Sequence, residues 1–193
     1  MMRETSDSRQ DTILNAAMQV FSTYGYRKTS MNDIADGAGM SRPALYQHYK
    51  NKDDIFRSLT QAYYDKAVDG LADALRGDKP VSEQLQAAFD AQIGDMVETL
   101  LNSPHGMELL DTGEKTAADI KQAGEDRLRA LYADWLGRAE GQGRVTLPDT
   151  PDMVADVILV GLKGLKTTVT SVPQLRARLA IFARLLGSGL TRD

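Results

Sequence analysis

Apolar residues recur along this chain at the three- and four-residue intervals of an α-helix, with no sustained alternation of β-branched and polar positions. The pattern predicts an all-α fold of about nine helices. In the first, expected from about Ser8 to Tyr24, Ile13, Ala17, Phe21 and Tyr24 form one apolar stripe and Gly25 ends it. A short second helix opens at Ser30, whose spacing to Asp33 is that of a capping box, and closes near Gly37. Ala38, Gly39 and Met40 then make a tight turn. Ser41 caps a third helix of about two turns, in which Pro43 falls in the first turn, where no intrahelical donor is lost. Asn51 with Asp54 starts a long fourth helix carrying Ile55, Leu59, Tyr63, Leu71 and Leu75.

Gly77 to Pro80 breaks the chain, and a fifth helix is expected from about Val81 to Leu101. Ser103-Pro104 starts a short sixth, Gly113 marks a bend, and a seventh carries Ile120, Leu128, Leu131 and Trp135 to the glycines at 141 and 143. The last two are the most apolar. Thr150-Pro151 opens one with Val154, Val157, Ile158, Gly161, Leu162 and Leu165, and Pro173 opens the other with Leu175, Leu179, Phe182 and Leu186, ending at Gly187. That is more apolar surface than one packed face requires, and Gly161 and Gly164 permit close helix approach. These residues are therefore read as a four-helix interface with a second copy of the chain, the alternative being a buried core helix.

Composition narrows the function. With no cysteine among 193 residues, disulfides, thiolate metal sites and cysteine nucleophiles are excluded, and a reducing cytoplasm fits. The start lacks a signal-peptide core, and Lys163, Lys166 or glycines interrupt the apolar runs before membrane-spanning length, so no membrane partner is expected. No nucleophile motif, phosphate loop or metal-ligand spacing is found, so an enzyme is disfavoured and no cofactor or metal is implied. The net charge is -4, but residues 1–60 hold eight cationic against seven acidic side chains, leaving -5 for the remainder. Any nucleic-acid-binding face is local and N-terminal.

Two short helices joined by a glycine-containing turn form a helix-turn-helix, with Ile34, Ala35 and Leu45 facing inward against the first helix. The run from Ser30 to Lys52 contains the Ile34-Ala35 pair, the Ala38-Gly39 turn, Ser41, the Leu45-Tyr46 pair, Tyr49 and Lys52. Across about residues 10 to 60 the chain resembles the DNA-binding module of TetR-type transcriptional regulators; beyond that it resembles them only in helical layout and length. The resemblance implies a DNA-binding domain at residues 1–52 and a helical ligand-binding and dimerisation domain at 53–193.

Residue type gives roles within that frame. Thr29, Ser30, Tyr46, His48, Lys50 and Lys52 suit phosphate oxygens, with packing of the Tyr46 ring a compatible second role. The resemblance puts base reading at the first turn of the third helix, on Ser41, Arg42, Pro43 and Ala44, where Arg42 can pair with guanine and Pro43 or Ala44 can meet a thymine methyl. Pro43 departs from the small residues common there. Phe89, Met96, Leu100, Met107, Leu110, Tyr132 and Trp135 are candidates to line an effector pocket, plain core being the alternative. His105 reads as a ligand contact or as an exposed helix-start histidine. The partners implied are double-stranded operator DNA, a second copy of the chain and a small apolar or weakly polar effector. A DNA-binding activator or architectural protein without an effector shares the N-terminal evidence.

Overall fold

The computed structural model describes residues 2–191, with side chains from residue 9 onward. It contains nine helices and no strand among the described residues: α1 (Met2–Tyr24), α2 (Met31–Gly37), α3 (Arg42–Tyr46), α4 (Lys52–Ala74), α5 (Val81–Asn102), α6 (Gly106–Thr116), α7 (Ala118–Gly141), α8 (Pro151–Thr167) and α9 (Val172–Leu190). Packing sorts them into two compact units, one of residues up to Tyr63 with Thr99–Gln122, the other of Tyr64–Glu98 with Ala123 onward. The first unit thus takes in a stretch around α6 whose apolar pattern carries no sign of which core it joins.

The local signals act as read at four helix starts. Ser30 and Asp33 form the reciprocal capping box, the hydroxyl of Ser41 accepts from the Ala44 N–H, Asn51 Oδ1 accepts from the Asp54 N–H at 2.8 Å, and Thr150 caps α8. Glycine was less dependable. The helices run through Gly113 and Gly187, and the break after α6 falls at Ala117 instead. At Gly187 an added Cβ would lie 2.7 to 3.0 Å from the side chain and backbone of Ser82, so this glycine serves close packing rather than termination. Conversely, α5 is kinked at Gly94, which the sequence pattern passed over; its φ of 56° and ψ of -178° belong to a region that favours glycine.

The core of the first unit is Ile13, Ala17, Phe21, Ile34, Leu45 and Ile55, all 0 % exposed, with Met31, Phe56 and Leu109 beside them. Tyr24, expected on the same stripe, is 58 % exposed: it shares the azimuth of the buried residues but is the last residue of α1. Phe21, Tyr26 and Phe56 form an aromatic cluster with ring centroids 5.3 to 6.0 Å apart.

In the second unit Phe89 stacks on Phe182 at 5.5 Å and tilts against Tyr132 at 6.5 Å. A Cβ at Gly161 would meet the Phe182 ring at 2.6 Å, so this glycine lets α8 and α9 of one chain approach. Val154, Ile158, Leu162, Leu175 and Leu179 are buried in the chain's own core.

Candidate nucleic-acid interface

α3 is five residues long and only Leu45 is buried, so the core holds this helix by one side chain and leaves the rest of its surface outward. Ser41, Arg42, Pro43, Tyr46 and Gln47 are exposed and Ala44 is half-buried. Their placement is set by α2: the turn at Ala38 to Met40 closes through Met40 N–H to the Ala35 carbonyl at 3.0 Å, and Gly39 adopts a φ of 65° that permits it. The result is a short, outward-facing helix end of the kind that enters a major groove.

The cationic and hydroxyl candidates divide into two groups. Lys50 is exposed, His48 is half-buried, and Ser30 lies at the exposed cap of α2, its hydroxyl donating to Asp33 at 2.8 Å. That bond and the Ser30 backbone N–H hold the Asp33 carboxyl below the usual carboxylate range. Thr29, by contrast, is 3 % exposed and its hydroxyl donates to the Gly25 carbonyl at 2.7 Å, closing the turn after α1.

Lys52 is engaged in the same turn. Its ammonium donates to the carbonyls of Tyr26 at 2.8 Å, Thr29 at 3.1 Å and Arg27 at 3.4 Å, and lies 4.4 Å from the centre of the Tyr26 ring. All three of its donors are used. The Tyr26 hydroxyl donates to Asp53, and burial together with this carboxylate pushes its pKa well up. From the other side Glu108 on α6 accepts the Arg27 N–H at 2.9 Å, while its second oxygen lies 3.5 Å from His105 Nδ1. The loop between α1 and α2 is thus clamped by side chains of α4 and α6. Sequence reading missed the adjacent exposed pair Arg27 and Lys28, signalled only by two cations directly before a capping box, and the exposed amide of Gln47 at the end of α3.

The predicted pocket residues are divided between the two units. Phe89, Tyr132 and Trp135 are buried in the second unit and Met96 is half-buried there. Leu100, His105, Met107 and Leu110 belong to the first unit, with Met107 73 % and Leu110 49 % exposed. The Tyr132 hydroxyl donates to Gln92 Oε1 at 3.1 Å, a buried polar pair that the apolar pattern did not signal. The indole N–H of buried Trp135 has no acceptor. Two open depressions lie near Arg144, one of about 440 Å³ and one of about 270 Å³; of the predicted lining residues they include only Trp135.

Of the predicted interface residues, Val157 is exposed, while Gly161, Leu165, Phe182 and Leu186 are half-buried. The exposed apolar side chains of α8 and α9 are Met153, Val157, Val160, Ile181 and Leu185, between 50 and 67 % exposed. On α8 they recur at four and three residues, one continuous face. Among the described residues no group of acidic or histidine side chains is placed to hold a metal, and no helix is long and apolar enough to cross a membrane.

Residues 13–59 match the family model described as bacterial regulatory proteins, tetR family, the span that holds α2, α3 and the clamped loop. The transcriptional activator FasR of Mycolicibacterium smegmatis is 34 % identical over 140 residues, which cover 70 % of this chain and 62 % of that protein. The N-terminal module is of the TetR family. The fold agrees across the whole length: a TetR transcription regulator from Haloarcula marismortui superposes with a TM-score of 0.77 at 17 % identity, covering 96 % of this chain and all of that one. SmeT, described as the repressor of the Stenotrophomonas maltophilia multidrug efflux pump SmeDEF, superposes with a TM-score of 0.70 at 20 % identity, covering 95 and 91 % of the two chains, and is also known as a triclosan complex. The matched span holds the first loop, the capped second helix and the third helix that Leu45 anchors.

Proposed function

We propose that this chain is an operator-binding transcriptional regulator of the TetR family that works in the cytoplasm as a homodimer and releases DNA when a small molecule binds its second domain. The observation that carries the reading is the outward surface of α3, where Arg42, Pro43, Tyr46 and Gln47 stand clear of a core that Leu45 alone enters. Arg42 is assigned to guanine and Gln47 to a neighbouring base edge; Arg27, Lys28, Ser30, His48 and Lys50 are assigned to phosphates. Lys52 and Thr29 shape the loop that aims them.

Homodimerisation is assigned to Met153, Val157, Val160, Ile181 and Leu185, exposed apolar side chains that the same face of a second copy would cover under two-fold symmetry. Two heads then need half-sites about 34 Å apart. A small molecule lowers operator affinity only by its differential affinity for the two head arrangements. The buried Gln92–Tyr132 pair is the polar contact offered to it, and α4, continuous from Lys52 to Ala74, is the element that carries the change. Repression follows SmeT; the activator FasR favours the second reading, in which the same head recruits rather than blocks.

Selection of bound sequences from random duplex DNA, at stated salt and repeated with Arg42→Ala, tests the proposal. Enrichment of a palindrome that the variant loses is the expected result. Salt-sensitive binding without sequence preference in the unaltered protein overturns it.

A further inference from the structure

We infer that Tyr46 is a positioning residue for base reading: its ring face holds the Arg42 guanidinium in the orientation that docks on guanine. This rests on the proposed role of Arg42. The two side chains stand four residues apart on α3 and so share one face of the helix. The guanidinium carbon lies 5.4 Å from the centre of the Tyr46 ring, and Arg42 Nη2 donates to the Tyr46 hydroxyl at 3.4 Å. Among the described residues Arg42 makes no ion pair, so the tyrosine is what orders it.

The geometry suits guanine for a physical reason. A free arginine loses several rotatable bonds when it docks, which weakens binding to right and wrong bases alike. Contact with the ring takes one of the five N–H donors, at the hydroxyl, and leaves the other four for the two acceptors of guanine in the major groove. Tyr46 is 43 % exposed and lies outside the apolar core, while Leu45 beside it carries the packing. Its substitution therefore reads on recognition rather than on folding. Pro43 and the Ser41 cap stiffen the same turn, so the pair is presented on fixed backbone.

The test is binding selection on random duplex DNA at two salt concentrations with Tyr46→Leu, Tyr46→Phe and Arg42→Ala. Arg42→Ala should erase the preference for guanine at one base pair of each half-site, by roughly tenfold or more. Tyr46→Leu should weaken that same preference by roughly threefold, the size of an exposed cation–ring contact, and leave other positions unchanged. Tyr46→Phe keeps the ring and should keep the guanine preference, whatever affinity the hydroxyl adds equally on all sequences. Uniform weakening by Tyr46→Leu with the guanine preference intact overturns the inference alone, as does a loss with phenylalanine equal to that with leucine. An unchanged profile with Arg42→Ala overturns both this inference and the assigned reader.

Discussion

The Lys52 ammonium has three donors and three backbone carbonyls to meet them, all between Tyr26 and Thr29. From sequence, a lysine opening a helix beside a DNA-binding motif looks like a phosphate contact, because residue type gives charge and not direction. Lys52→Met should therefore act first on folding, leaving partly buried carbonyls without donors at a cost of about 1–3 kcal/mol in urea denaturation. The salt dependence of its DNA binding should stay that of the parent, whereas Lys50→Ala should reduce that slope by about one. A second residue-scale case is Arg57, which grips Asp119 with two bonds of 2.6 and 2.7 Å and holds its carboxyl at about 2, against an ordinary 3.8. On acidification the unfolded chain takes up this proton before the folded one. The stability from the pair is thus fully present above the ordinary value and lost as pH falls toward about 2. In denaturation series from pH 5 downward, the stability gap between the parent and Asp119→Asn should close across that window.

Four helix starts were legible because each depends on a side chain, while the Ser171 cap of α9 went unread. Ser30, Ser41, Asn51 and Thr150 each cap the helix their spacing predicted, since a cap is a bond between residues three apart in sequence. Glycines were ambiguous, because the same residue type serves a turn, a kink or a tight contact, and only the neighbours decide which. Gly187 lies against Ser82, more than a hundred positions away, which no local window contains. Gly94 shows the opposite error: inside an unbroken apolar pattern it hosts a break that other residues rarely adopt. Gly94→Ala should destabilise the protein by about 1–3 kcal/mol, read as a lower thermal midpoint, although alanine is the better helix former by propensity. If the midpoint rises instead, the kink is not held by the surrounding fold.

At the scale of the molecule, the all-α architecture and the helix-turn-helix follow from periodicity and motif, while which apolar residues face the core and which face outward does not. Val154 and Val157 sit three residues apart and look alike in sequence, yet Val154 is 7 % and Val157 54 % exposed. Val157→Lys or Leu185→Glu should leave helicity intact and give a monomer in sedimentation. Operator affinity should fall steeply once the two half-sites are bound independently. The placement of Trp135 has an optical consequence. It is the sole tryptophan of the chain, buried in the second unit with its indole N–H lacking an acceptor, while the first unit's aromatic side chains are tyrosine and phenylalanine. Light absorbed only by indole therefore sees one half of the protein. Its emission should lie to the blue when folded and shift red as that half opens, and set against circular dichroism it shows whether the two halves melt together or in turn.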